Sequence, residues 1–396
     1  MQINVNQLAG KINVILFWFM NDWGIYGRTY EKIAEHLAKL SGVGRVLCLL
    51  PPNKVELDEY AWPFEVNRVS RKLLVLTPNA RLVPTAKAPY RLRQWFNSKG
   101  VNIVFKQTLE LLGFKKHNTV IWVFPPHEYI YRLVEQVNYS FMVTQIVDNN
   151  TFRESDCNQT IDFVKKQYEY LASKADMVIT SSAINYEIFS ALNDKCYLFE
   201  NAVDNRFIVT SSELPCRTAM KRPRLGYVGW ITQRTDIKLL DYIARNRPDY
   251  DLIIAGPVEY GEDLNQYKTL ELSNVDYQGI LPYDAVPDFL RSIDICLMPH
   301  KDTLFSKSMS PLKLFQYLGS GRPIVTTPIA GLERWSNMVN VGITYEEFVK
   351  KIDEALIAET LEAASMRIEA VKEHTWEKRM AMIYDTVLQN MQATAG

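Results

Sequence analysis

The segment richest in chemically useful residue types runs Ser308-Met-Ser-Pro-Leu-Lys-Leu-Phe-Gln-Tyr-Leu-Gly-Ser-Gly-Arg-Pro-Ile-Val-Thr-Thr-Pro328. Its pattern is a polar loop, an amphipathic helix, a glycine turn and a short apolar strand. Ser310 suits an N-cap, and Pro311 and Leu312 suit the first helical turn. A helix start offers free backbone N–H groups and the positive end of the helix dipole, which together suit an anion such as phosphate. Lys313 sits in that first turn, where the dipole disfavours a cation. A bound anion would account for it, and a diphosphate would be neutralised by it. Gln316, on a nearby face, can bond to sugar hydroxyls. The competing account is an ordinary capped core helix.

Two acids stand where they could accept a proton. Val143-Thr-Gln-Ile-Val-Asp148 is a buried strand ending in a carboxylate, a position suited to a general base; the same acid could instead cap the following turn. Asp22 lies in the polar loop Met20-Asn-Asp-Trp-Gly24 after the first apolar strand, as a second candidate base or as plain turn chemistry. Pro125-Pro-His127-Glu128 ends another strand at the same edge. Gly229 follows the strand Leu225–Val228, where glycine permits close backbone approach to a ligand.

The elements that must carry these residues alternate regularly. Val14–Phe19, Val46–Leu50, Val120–Phe124, Phe141–Val147, Met177–Thr180 and Cys196–Phe199 have the profile of buried strands, with helical patterns at Tyr30–Leu40, Ile130–Val137 and Ile161–Ala172. After the basic, proline-containing break at Lys221–Arg224 the pattern restarts. Strands are expected at Leu225–Val228, Leu252–Ala255, Val275–Tyr277, Ile295–Met298 and Ile324–Thr326, with helices at Ile237–Arg245, Asp284–Arg291 and Leu312–Leu318. The fold class is therefore α/β, with two doubly wound, Rossmann-like parallel sheets facing across a cleft. The expected domains are 1–205 and 206–373, with an amphipathic helix over 374–396 packing back on the first domain.

Composition sets bounds on the rest. The 396 residues are too many for one typical core, and 47% apolar with 23% charged is ordinary for a globular chain. Net charge is zero, so the overall balance names no partner. The distribution is uneven: between Val66 and His117 there are eleven Lys and Arg against Glu110 alone. With Leu73, Leu82, Tyr90, Trp95 and Phe96 interleaved, this stretch suits peripheral contact with an anionic membrane. A solvated face is the alternative, and no nucleic-acid module accompanies it. Five scattered cysteines without metal spacing suggest reduced thiols in a cytoplasmic protein. The start shows no signal-peptide pattern, and its apolar run, Val14–Met20, is well short of the roughly 20 residues that span a bilayer.

The Ser308–Pro328 block resembles the donor-site helix of GT-B glycosyltransferases, above all a bacterial branch that includes teichuronic-acid-type enzymes. It is also similar to the xanthan glucuronosyltransferase family. That resemblance implies Lys313 on the diphosphate and Gln316 on the nucleotide and sugar. Glycosyltransferase family 4 enzymes usually place Glu where this chain has Ser308 and Gln316. Gly226-Tyr-Val-Gly229-Trp230, Ile254-Ala-Gly256, Tyr277-Gln-Gly279-Ile280-Leu281, Met298-Pro-His300 and Thr375-Trp376 resemble further landmarks of the donor domain. The resemblance implies a nucleotide-sugar donor, UDP-linked by preference, and a saccharide or lipid-linked acceptor, in cell-surface polysaccharide assembly. Asp148 aligns with the base of the inverting glucuronosyltransferases, which implies inverting chemistry. No convincing Asp-x-Asp metal motif is found, so neither metal nor cofactor is expected. Location on the cytoplasmic face of the inner membrane would follow. A GT-B sugar-nucleotide 2-epimerase and a non-catalytic nucleotide-sugar-binding protein share the architecture and stand as alternatives.

Overall fold

The computed structural model describes residues 11–395 except 19, 21, 52–63, 79–104, 127–133, 136, 155–157 and 211–221. The first sheet holds β1 (Ile12–Phe17), β2 (Val43–Leu49), β3 (Phe64–Arg68), β4 (Leu73–Pro78), β5 (Thr119–Val123), β6 (Phe141–Ile146), β7 (Met177–Thr180) and β8 (Cys196–Leu198) in the order β3-β4-β2-β1-β5-β6-β7-β8. Only β3 runs antiparallel, against β4. The second sheet holds β9 (Arg224–Val228), β10 (Asp251–Ala255), β11 (Val275–Tyr277), β12 (Ile295–Met298), β13 (Ile324–Thr326) and β14 (Asn340–Val341), ordered β11-β10-β9-β12-β13-β14 and parallel throughout.

Each central strand is mostly apolar because both of its faces are covered, with a few buried polar residues such as Asn13, Thr119, Thr144 and Gln145 among them. In β1, Val14 and Leu16 enter one core while Ile15 and Phe17 enter another on the opposite face. In β9 and β10, Leu225, Tyr227, Leu252 and Ile254 face one side, and Val228, Ile253 and Ala255 the other. Such side chains contribute about 1.5–3 kcal/mol each when fully buried. The covering helices are α1 (Thr29–Lys39), α2 (Asn158–Lys174) and α3 (Ala183–Ser190) on the first sheet. On the second are α4 (Ile237–Asn246), α5 (Val286–Ser292), α6 (Leu304–Lys307), α7 (Leu312–Gly319), α8 (Tyr345–Ala358) and α9 (Leu361–Val371). Residues 105–111 are also helical, whereas the helix expected over 130–137 lies mostly outside the described residues.

The last helix, α10 (Trp376–Ala395), leaves the second domain and joins the first. Its Trp376, Met380, Ile383 and Val387 share a core with Val14, Leu16, Ile33 and Leu37. The two chain crossings between domains lie side by side. Val203 N donates to His374 O at 2.9 Å, and Trp376 N donates to Val203 O at 2.9 Å.

Both sheets reverse strand order beside their first strand, between β1 and β5 in one and between β9 and β12 in the other. At such switch points adjacent loops diverge and leave a crevice at the carboxyl ends of the strands. The two crevices face each other.

Candidate active site

The crevices form one cleft of about 370 Å³. Trp18, Phe124 and Pro125 from the β1 and β5 ends line one wall; Gly229, Trp230 and His300 from the β9 and β12 ends line the other. Of the residues singled out from sequence, Asp148, Gly229, Trp230, Gly256, Leu281, His300, Ser310, Pro311, Leu312, Lys313 and Gln316 all border it. Asp22, Gly279 and Ile280 do not. Gly279 acts through its backbone, its carbonyl accepting from Gly256 N at 2.6 Å, and Ile280 is exposed. His127 and Glu128 lie outside the described residues.

On the second-domain wall, Gly229 (φ +139°) and Gly256 (φ +134°) pack backbone to backbone. A Cβ on Gly256 would stand 2.1 Å from Gly229 O, and one on Gly229 would stand 2.1 Å from Lys313 Cε. Lys313 therefore lies directly over the glycine turn. Its Nζ donates to Tyr227 OH at 2.7 Å and sits 4.1 Å from the centre of that ring. One of three N–H donors is thus used by this bond, and the ammonium is held by an aromatic face rather than by a carboxylate. Gln316 is buried and hydrogen-bonds Tyr283.

The expected capping arrangement is different in detail. Helix α7 begins at Leu312 with Pro311 as its N-cap, and no side chain caps it. Ser310 instead ties the domains together: its Oγ accepts from Asn201 N at 3.0 Å and its carbonyl from Asn201 Nδ2 at 2.6 Å. Proline cannot donate and has no capping oxygen, so the first backbone N–H groups of α7 are left to the cleft rather than to a serine. Ser308 is fully buried, with its carbonyl bonded by Ser182 and Asn185 of the first domain.

His300 is buried beside Lys313 and Arg234. Burial first, then those two cations, push its pKa well below the usual histidine value. Neither ring nitrogen has a hydrogen-bond partner among the described residues. A neutral imidazole at the cleft wall can offer one donor and one acceptor.

On the first-domain wall, Asp148 lies two residues past the end of β6 and its side chain is one-third exposed. It does not cap the following turn; Asn149 does, accepting from Thr151 N at 3.1 Å. Asp148 is ion-paired across the cleft, Oδ1 lying 3.2 Å from Arg234 Nη1. Asp22 has different surroundings. It is 5% exposed, and its carboxylate accepts from Trp18 Nε1 (3.2 Å), Tyr30 OH (3.1 Å) and Arg28 Nε (2.7 Å). Its carboxylate is thus taken up by three donors and does not border the cleft.

Three cleft arginines went unnoticed in the sequence: Arg28, Arg153 and Arg234. Arg234 lies 4.3 Å over the Phe305 ring, Arg28 lies 4.5 Å over Trp230, and Arg153 pairs with Glu259 at 2.9 Å. With Lys313 they set four cations against Asp148 and Glu259 on the cleft lining. Their signal is faint because an arginine just past a strand end looks like any solvated loop residue. Among the described residues no three His, Cys, Asp or Glu side chains are grouped to hold a metal ion, and no helix is long and apolar enough to cross a membrane. Half of the basic 66–117 stretch, residues 79–104, lies outside the described residues; Glu65–Ser70 are exposed at the edge of the sheet.

Two Rossmann-like domains with a cationic cleft between them and a helix returning to the first define the GT-B fold. Solved structures of that fold match nearly the whole chain. Sucrose-phosphate synthase from Thermosynechococcus elongatus superposes with a TM-score of 0.72 at 15% identity, over 97% of this chain and 100% of that one. The trehalose 6-phosphate synthase of Burkholderia multivorans does so with 0.65 at 11% identity, over 98% and 100%. More particularly, residues 234–385 match a family model described as glycosyl transferase-like. Over 172 residues the chain is 27% identical to a Bacillus subtilis protein named for teichuronic acid biosynthesis as a glycosyltransferase. That alignment spans 43% of this chain and 41% of the relative's own length.

Proposed function

We propose that the protein is a glycosyltransferase that moves a sugar from a nucleoside diphosphate sugar, UDP-linked by preference, to a saccharide or lipid-linked saccharide in cell-surface polysaccharide assembly. The observation that carries this reading is Lys313, laid over the Gly229 turn with its ammonium on the hydroxyl and ring face of Tyr227. A diphosphate leaving group gains negative charge as the glycosidic bond breaks. Lys313, the uncapped start of α7 and the Gly229 backbone would stabilise that charge, with Arg234 close by. His300, neutral and unpartnered, would bond to a sugar or phosphate oxygen.

Asp148 is the base in this reading, taking the acceptor proton as the hydroxyl attacks the anomeric carbon with inversion. Its ion pair with Arg234 must loosen first, and a diphosphate competing for Arg234 would do that. No metal is assigned to the reaction. Peripheral attachment to the cytoplasmic face of an anionic membrane through the 66–117 stretch belongs to the same proposal.

The test is incubation with a panel of nucleotide sugars, with and without membrane lipid extracts. Transfer supports the reading; epimerisation of the donor sugar would make the chain an epimerase, and binding without turnover a sensor. Lys313→Ala should weaken UDP binding in calorimetry at least about ten-fold, the loss of one charge-assisted contact. Asp148→Asn should abolish transfer while UDP still binds, and full activity in that variant would remove Asp148 from the mechanism.

A further inference from the structure

The cleft has cations on both walls, and one of the two from the first domain, Arg28, has a construction of its own. Arg28 Nε is fixed by Asp22 Oδ2 at 2.7 Å, while Asp22 Oδ1 is fixed by Trp18 and Tyr30. The guanidinium lies over two stacked rings, 4.5 Å from the centre of Trp230 and 5.1 Å from that of Tyr26. Behind it, buried Glu31 accepts backbone N–H bonds from Gly24 and Arg28 and pins the loop. Arg28 Nη2 is buried with no hydrogen-bond partner among the described residues. A guanidinium held by one edge and one face presents its remaining N–H groups in a fixed fork, the geometry that recognises carboxylates and phosphates. Holding an arginine this firmly has little structural purpose at a cleft wall unless an anion meets it.

We propose that Arg28 forms an anion subsite on the acceptor side of the cleft, so that the acceptor is an acidic saccharide bearing a carboxylate or a phosphate. This rests on the donor reading above: the second domain, with Lys313, takes the leaving diphosphate, and Arg28 belongs to the opposite wall. Trp18, Phe124 and Pro125 on the same wall add apolar surface for the sugar ring. Asp22, which the sequence offered as a base, becomes the residue that aims Arg28.

The test uses full-length protein and three probes: octyl β-D-glucuronide, octyl β-D-glucoside 6-phosphate and octyl β-D-glucoside. Binding is followed by NMR with UDP present and again without it. Wild type should bind one or both acidic probes at least about ten-fold more tightly than the neutral one, the worth of one charge-assisted hydrogen-bonded pair. Which acid is preferred identifies the source of the anion. Arg28→Gln should erase the preference and leave UDP affinity unchanged, while its melting temperature falls because buried Asp22 loses its cation. Arg28→Lys, which keeps the charge but loses the fork and the Asp22 anchor, should retain only a small part of it and guards against a folding defect in the first variant. Equal binding of acidic and neutral probes by wild type overturns the proposal. So does an Arg28→Gln variant that loses UDP affinity instead, since Arg28 would then serve the donor. Failure of wild type to bind UDP would strike at the donor reading, while the acid-against-neutral comparison without nucleotide still stands.

Discussion

Gly229 and Gly256 meet where neither can carry a side chain. Gly256→Ala places a methyl 2.1 Å from a backbone oxygen in a conformation that L-residues rarely adopt. Backbone strain alone costs about 1–3 kcal/mol; the clash adds to it, so thermal melting should fall and UDP binding should go with it. A second residue-scale expectation concerns Glu31. Burial first, then the Asp22 charge, push its carboxyl up to about 7, against partial relief from Lys32 and two backbone N–H bonds. A carboxyl whose folded pKa is raised favours its protonated form in the native state. Its contribution is fully present below the unfolded value near 4.5 and is lost as pH rises through about 7. Across that window wild type should lose up to about 3 kcal/mol, and Glu31→Gln should flatten the profile; identical pH–stability curves would contradict the assignment. Lys313, Gln316 and His300 were legible because they sit in a contiguous pattern of strand, glycine, cap and helix. Arg28, Arg153 and Arg234 were not, because what marks them is a ring or acid supplied by a distant segment. The burial of Asp22 was not legible for another reason: its three donors, Trp18, Arg28 and Tyr30, are local, but only the fold of the β1–α1 loop turns them onto its carboxylate.

At the scale of elements, the interior strands were easy to find. A strand buried on both faces is apolar on both, and β1, β2, β5, β6 and β7 announce themselves by short, largely apolar runs. The edge strand β3 did not. Its Glu65–Arg68 stretch is exposed and charged, and its pairing with β4 is antiparallel, so it passed for part of a basic surface. Charged edge strands resist edge-to-edge association, which gives some of that charge a use unrelated to membranes. Helix α7 starts at Leu312 as expected, but its N-cap was misplaced by one residue because serine is the better cap by propensity, yet Asn201 had already claimed Ser310. The tie can be broken selectively: Ser310→Ala removes the 3.0 Å bond from Asn201 N, and about 1 kcal/mol of stability should be lost by denaturant titration. Helix α10 makes a stronger case. Trp376 is 2% exposed and lies in the first-domain core. Trp376→Ala should cost about 3–5 kcal/mol, and hydrogen exchange should show the loss in β1 and α1 before β9 and β10.

At the scale of the whole molecule, the two domains touch through partly exposed ion pairs on the cleft. Asp148–Arg234 and Arg153–Glu259 both bridge the walls, with side chains 19–33% exposed. Pairs of this kind are worth about 1 kcal/mol or less and are screened by salt. The hinge, by contrast, is covalent and hydrogen-bonded, with Val203 and Thr375 paired as neighbours. Beside the ion pairs, Ser182 and Asn185 hold the Ser308 carbonyl and Asn201 holds Ser310 in bonds that salt does not screen; in about 1 M salt, where the screening length is about 3 Å, small-angle scattering should therefore show an unchanged radius of gyration, with unchanged circular dichroism. The paired crossings have another consequence. All of β9 through α9 is an insertion between β8 and α10, two elements of one core. On the ribosome, the inserted domain emerges whole and can close its own core at once. The earlier-made sheet must wait, with the Val14 and Leu16 face covered by α1 alone, until the closing helix leaves the exit tunnel. The domain translated first is the one finished last, and its exposed apolar face is the surface a chaperone would meet during synthesis.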